Sequence, residues 1–302
     1  MRRAVARHAA LALLALASIV SPPDAFAQAA RRRPAMRATD VRAVATPRGP
    51  TKRAASRPRV VVVDAGHGGP DRGMSGTTPG GARIDEKDIT LQVAQRLAAR
   101  LEAQGITVIM TRTTDTLIAL SDRGRIANRQ AGDLFISVHV NAANPNWRDP
   151  GAARGFETYF LAEAKTEDER RVAAMENEVV RFETDGGDLP KDDAFSFMLN
   201  DMAQNEHLRE SSDLASTIQG RLRSTHPGPS RGVKQAGFRV LVTAFMPAVL
   251  VEIGFGTNRA EAAFISSASG QGQIAGAIAA ATLDYLARYE RRVSGGTTGP
   301  GK

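Results

Sequence analysis

The chain contains no cysteine. That excludes disulfides and thiolate metal sites, so any metal here must be held by histidine and carboxylate side chains. Only five histidines are available. Long apolar runs are also missing: the most apolar stretch, Ala9 to Val20, falls short of the roughly 20 residues that span a bilayer. A net positive charge is missing from the body of the chain as well. The first 57 residues hold twelve Lys and Arg against Asp24 and Asp40, a charge of +10, so of the total of +8 the remainder carries −2. A nucleic-acid partner inferred from net charge fails on that count. There are no internal repeats. The C-terminal Gly296 to Lys302 matches a GxxxxGK pattern but lacks the following Ser or Thr, a preceding strand and a helix to follow, which excludes a phosphate-binding loop.

What is present at the N-terminus has the layout of a secretory signal peptide. Arg2, Arg3 and Arg7 precede the apolar run, and Ser21-Pro22-Pro23 leads to Ala25-Phe26-Ala27, so cleavage is expected after Ala27. Residues 28–57 are Arg, Ala, Pro and Thr without hydrophobic period and are expected to form a basic disordered linker. The expected organisation is therefore a signal peptide (1–27), a linker (28–57), one folded domain (58–290) and a disordered tail (291–302). The protein is expected to be exported to the periplasm or cell envelope, with no transmembrane segment after cleavage.

Within the body, Arg59 to Val63 is a β-branched run, and Ile89, Val93, Leu97 and Leu101 form one helical face. Gly105 stops that helix. Strands are expected at Ile106 to Met110, Leu134 to Val138, Phe156 to Leu161 and Ala248 to Ile253, with helices over Ala119 to Ala131 and Ile274 to Tyr289. The alternation predicts an α/β fold: a single domain with a mostly parallel twisted sheet flanked by helices. A long polar section, roughly Ala164 to Leu222, is expected to be a helical insertion. Its Glu163 to Asp193 stretch holds eleven acidic and five basic residues, with an apolar stripe at Val172, Met175, Val179 and Phe182.

Of the histidines, His8 lies in the signal peptide, and His207 and His226 sit in polar surroundings that suit solvated surface residues. His67 and His139 each follow an apolar strand, at the end that borders the ligand crevice of an open α/β sheet. Asp85 and Glu86 open the first helix, where they complement its dipole or serve as ligands. Glu252 lies inside the apolar run Ala248 to Phe255, where a carboxylate is costly unless paired, bonded or metal-linked.

AGHGG at 65–69, DEK at 85–87, SVHVN at 137–141 and VEIGF at 251–255, in this order, resemble the zinc-dependent N-acetylmuramoyl-L-alanine amidases that cleave peptidoglycan. The TR at 111–112 and the helix with Arg123, Ala127 and Asn128 resemble the family too. The resemblance covers roughly Arg59 to Tyr289. It implies that His67, Glu86 and His139 bind one Zn2+ and that Glu252 is the catalytic glutamate, with Asp64 and Asn141 close enough in sequence to support the ligands. It also implies peptidoglycan as substrate and, in the cell-division type, a helical segment over the zinc cleft that an activator protein displaces. Glu176, Glu178 and Glu183 are the candidates to approach the metal from that segment. A zinc peptidase acting on stem peptides and a non-catalytic wall-binding domain are the rival expectations.

Overall fold

The computed structural model describes residues 58–183 and 202–295. The expected signal peptide and linker, and the tail beyond residue 295, lie outside the described residues. Strand β1 (Val60–Ala65) leads into a small antiparallel hairpin of β2 (Ser75–Thr77) and β3 (Arg83–Asp85), then helix α1 (Glu86–Glu102), β4 (Thr107–Met110), α2 (Leu120–Arg129) and β5 (Leu134–Asn141). Strand β6 (Phe156–Leu161) follows, then α3 (Glu167–Asn177) with a 3-10 turn at Glu178–Phe182. Beyond the gap come α4 (Met202–Arg223), β7 (Ser230–Ala236), α5 (Arg239–Val242), β8 (Ala248–Phe255), α6 (Arg259–Ser266) and α7 (Ala268–Gly295).

Six strands form one sheet in the order β4-β1-β5-β8-β6-β7. The first four run parallel, whereas β6 is antiparallel to β8 and carries β7 parallel to itself. The sheet is therefore mostly parallel, as expected, with one antiparallel pairing, β6 against β8, that makes it mixed. The cause is the link from β5 to β6: residues 142–155 hold only a 3-10 turn at Pro150–Ala152, and a parallel return usually needs a crossover helix. The last helix runs to Gly295, past the expected domain end at residue 290.

Both faces of the sheet are covered, which is why β1, β5 and β8 are apolar along almost their whole length. Val61, Val63, Leu134 and Val249 pack with Leu97 of α1, Leu214 of α4 and Ile278 of α7. On the other face Val62, Phe135, Tyr159 and Leu250 pack with Leu120 of α2, Val172 of α3 and Val240 of α5. That second face changes from apolar to polar toward the carboxyl ends of the parallel strands. The register aligns His139 with Glu252 and Glu252 with Glu157, so three polar side chains stand in one row across β5, β8 and β6.

Candidate metal centre and active site

After β1 the chain turns sharply through Gly66 and His67. His67 has φ 59°, a left-handed conformation uncommon for residues other than glycine, and two arginines hold it there. Arg123 donates to Asp64 Oδ1 (2.9 Å), Ala65 O (2.8 Å) and His67 O (3.0 Å). Arg112 donates to Ala65 O (2.9 Å) and Gly66 O (2.8 Å). Asp64 is gripped in turn by the Thr111 and Ser137 hydroxyls at 2.5 and 2.6 Å. Burial alone would raise the Asp64 pKa, but Arg123 and the two hydroxyls outweigh it and hold the carboxyl below its ordinary range. Asp64 therefore supports the turn, not a histidine ring.

Two glycines leave room for the rings. A Cβ on Gly66 would stand 2.6 Å from the His139 ring, and one on Gly73 would stand 2.5 Å from Glu86 Oε2 and 2.6 Å from His67 Cδ2. Glu86 is the first residue of α1 and is fully buried. Its oxygens accept from Val140 N (2.7 Å) and Met74 N (2.8 Å), so the strand and hairpin backbones fix the carboxylate. Asp85 stays outside, bonded to Arg72, Ser75 and Arg83.

His67, Glu86, His139 and Glu176 converge. His67 Nε2 lies 3.0 Å from Glu86 Oε1 and 3.1 Å from Glu176 Oε2, and His139 Nδ1 lies 3.2 and 2.6 Å from the same atoms. One ligand atom from each residue falls within 4.8 Å of the others. Tetrahedral zinc with bonds of about 2.0–2.1 Å would place its ligand atoms about 3.3 Å apart, the scale seen here. His67 Nε2, His139 Nδ1 and both Glu176 oxygens are buried and make no well-aligned hydrogen bond. Glu176 Oε2, Glu86 Oε1 and the two imidazole nitrogens crowd one another around a common centre, and the group can hold a metal ion.

The electrostatics without a metal follow from this crowding. Burial would lower the histidine pKa values, but Glu86 and Glu176 hold His67 well above its ordinary value, and chiefly Glu176 pushes His139 up to about 9. Burial would raise the two glutamates, yet the imidazoles keep Glu86 and Glu176 low. Glu252 goes the opposite way. It is fully buried with no hydrogen-bond partner among the described residues, and burial, with Glu176, Glu86 and Glu157 nearby, pushes it well above the carboxylate range.

Asp71 is the supporting residue that sequence reading missed. Its Oδ2 stands 2.7 Å from His67 Nδ1, and its Oδ1 accepts from Gly73 N at 3.1 Å. A carboxylate on the far ring nitrogen fixes the tautomer and leaves Nε2 free for a metal. The signal was its place four residues after His67 in GHGGPDRG. Asp71→Asn is expected to weaken metal affinity about 10–100-fold, read by competition with a chelator. An unchanged affinity would show that packing alone orients the ring.

Of the insertion glutamates, Glu176 reaches the cluster. Glu178 is exposed and pairs with Arg181 (3.3 Å), and Glu183 accepts the Leu120 N–H at the start of α2 (2.8 Å). Asn141 is fully buried, and its side-chain atoms have no hydrogen-bond partner among the described residues. His207 is half-buried. His226 corrects the expectation of a solvated surface residue. It is buried between Phe156 and Phe264, accepts Gly228 N–H at Nδ1 (2.9 Å) and faces Ile253 O with Nε2 (3.1 Å). Burial lowers its pKa, so it is a neutral packing histidine outside the metal cluster.

Fold and site together define an α/β protein with a buried His/Glu cluster, able to hold a metal ion, near the carboxyl ends of its parallel strands. Comparison with known proteins narrows the class. The family model described as N-acetylmuramoyl-L-alanine amidase matches residues 61–284. N-acetylmuramoyl-L-alanine amidase AmiA of Escherichia coli is 33% identical over 235 residues, covering 78% of this chain and 78% of that one. The crystal structure of an N-acetylmuramoyl-L-alanine amidase from Clostridium difficile superposes with a TM-score of 0.57 at 30% identity, covering 77% of this chain and 98% of that one. AmiC2 of Nostoc punctiforme gives 0.54 at 28% identity, covering 80% and 100%. The chain belongs to the N-acetylmuramoyl-L-alanine amidase family. It is a hydrolase of the amide bond between N-acetylmuramic acid and L-alanine in peptidoglycan.

Proposed function

We propose that this amidase uses one zinc ion held by His67, Glu86 and His139, with Glu252 as general base, and that α3 keeps the enzyme closed by setting Glu176 against the metal. The observation behind this reading is the convergence of four buried ligand atoms on one centre, where His67 Nε2 and His139 Nδ1 make no well-aligned hydrogen bond. Two imidazoles and one carboxylate make a three-ligand catalytic zinc set that leaves a position for water or substrate. Zinc supplies Lewis acidity, polarising a carbonyl and lowering the pKa of water to about 7.

The chain's own residues do the rest. Glu252, in register beside His139, takes the proton from the attacking water and returns it to the departing amine of L-alanine. Burial, with Glu176, Glu86 and Glu157 nearby, raises its pKa well above the ordinary carboxylate range, so it takes up a proton more readily than an exposed glutamate, as the transfer requires. Asp71 holds the His67 ring, and the backbone donors on Glu86 keep it in place. An isolated wall-binding domain would gain nothing from a buried, unpaired Glu252, which costs stability.

Glu176 takes the position that the reaction needs. Its α3 starts with a capping box between Thr166 and Glu169 and buries Val172 against the sheet, so the helix presents Glu176 in a defined place. Replacing Glu176 with Gln is expected to raise basal hydrolysis of purified peptidoglycan about ten- to hundred-fold, the loss of one charge-assisted contact. A folded variant with an unchanged or lower rate would remove the closed-state reading. An activator protein that displaces the helical insertion is the partner this regulation calls for. Export through the N-terminal signal and action in the periplasm or cell envelope, in daughter-cell separation or wall remodelling, complete the proposal. No helix among the described residues is long and apolar enough to cross a membrane.

A further inference from the structure

The polar row that carries His139 and Glu252 continues onto β6 and β7. Glu157, opposite Glu252 in the register, is fully buried. It accepts from the Tyr159 hydroxyl at 2.5 Å, from Arg231, and from Lys234 Nζ at 2.7 Å. Two cations on one carboxylate leave a net positive charge. That charge is met by Asp168 in the first turn of α3, whose Oδ2 stands 3.3 Å from Arg231 and 3.4 Å from Lys234. The Asp168 Oδ1 faces Arg171 of the same helix at 3.0 Å. Arg171 is occupied elsewhere too, donating to Ala142 O at 3.1 Å and lying over the Trp147 ring. One helix therefore brings a carboxylate onto the histidines and a second carboxylate onto the cations.

We infer that Arg231 and Lys234 form a subsite for a free carboxylate on the substrate's peptide, and that Asp168 fills this subsite while α3 is docked. The inference rests on the proposed reading that α3 leaves the site before turnover. Neighbouring strands lie about 4.8 Å apart, and both cations converge on Glu157, one strand over from Glu252. An extended peptide advances about 3.3–3.6 Å per residue, so a carboxylate on the first or second residue past the scissile amide reaches them. Glu157 and Tyr159 hold the two cations in place beforehand, which reduces the ordering cost of binding an anion. Once Asp168 departs, Arg231, Lys234 and Glu157 keep one uncompensated positive charge in a partly buried place. Such a charge is unfavourable until another anion arrives. Substrate binding and helix docking then compete for the same two cations.

The test uses the full zinc-loaded chain carrying Glu176→Gln and two soluble substrates. They are N-acetylmuramoyl-L-alanyl-D-glutamate with its α-carboxylate free and its γ-carboxyl amidated, and the same compound with both carboxyls amidated. The acid is expected to be preferred about tenfold in kcat/KM, with the difference in KM. Adding Lys234→Met is expected to bring the ratio close to one. In the otherwise unchanged chain, Asp168→Asn is expected to raise basal peptidoglycan hydrolysis several-fold, since the helix loses its hold on the cations; this variant leaves the sheet intact, so it reads the same contact if Lys234→Met folds poorly. Equal kcat/KM for acid and amide, or an unmoved ratio in folded Lys234→Met, would overturn the subsite. The failure of the closed-state reading shows separately, as no rate gain in Glu176→Gln, because the acid-to-amide ratio is internal to each variant.

Discussion

Glu252→Gln is expected to lower kcat on peptidoglycan about 10²–10⁴-fold, the range for removing one general acid–base group. The substitution keeps the shape of the side chain and removes only its ability to take a proton. Glu252 is not among the four residues whose ligand atoms cluster, so metal content, measured by elemental analysis, is expected to stay at the wild-type level, as is wall binding. Stability should not fall either. A carboxyl pushed well above its ordinary pKa by burial and by Glu176, Glu86 and Glu157 costs stability as pH rises above its unfolded value of about 4.3. A neutral amide carries no such cost, so Tm at pH 7 is expected to match or exceed wild type. A fully active Gln variant would refute the proton-transfer role. One that lost its metal would make Glu252 a ligand.

His67→Ala, or treatment with a strong chelator, is expected to abolish activity and metal retention together. Loss of one imidazole leaves an incomplete ligand set, and the catalytic contribution of a bound ion, several kcal/mol, corresponds to a fall of at least about 10³-fold in kcat/KM. The metal-free wild type should also show a characteristic pH response. His67 and His139 are raised in the folded state, His139 to about 9. Their contribution to stability is therefore fully present below the unfolded value of about 6.5 and lost as pH rises toward 9. The depressed Glu86 and Glu176 act oppositely, contributing above about pH 4.3 and failing as pH falls. Metal binding needs neutral imidazoles, so the Tm gap between metal-loaded and metal-free protein should widen from pH 6.5 to 9. A gap that narrows over that range, or activity surviving in metal-free His67→Ala, would count against the centre.

Much of this was readable along the chain because the relevant physics is local. Apolar runs with β-branched residues marked β1, β5, β6 and β8, and the 3.6-residue period marked α1. His67 and His139 stood out as imidazoles at strand ends, and Glu252 as a carboxylate in an apolar strand. Strand β7 escaped because SRGVKQA has no alternating apolar signal. Its Lys234 and Arg231 face a buried Glu157, so a polar residue there turns toward the sheet's own charge and not toward water. His226 was misread for a similar reason: its sequence neighbours are polar, but two phenylalanines from distant segments cover it.

By itself the sequence determined the α/β pattern and the absence of thiolate chemistry, since strand ends and residue types depend on neighbours a few positions apart, and it carries the motifs around His67, Glu86, His139 and Glu252 by which it resembles the amidase family. Only the tertiary structure decided which carboxylates meet them. Glu176 lies 109 positions after His67 in the chain, yet stands 3.1 Å from its Nε2. Glu178, two residues on, faces solvent. The docking of α3 by Val172 on the sheet sets which helical face points inward. The reversal of β6 and β7 brings Glu157, Arg231 and Lys234 alongside Glu252. Those are outcomes of long-range packing and strand order, and no local period in the chain encodes them.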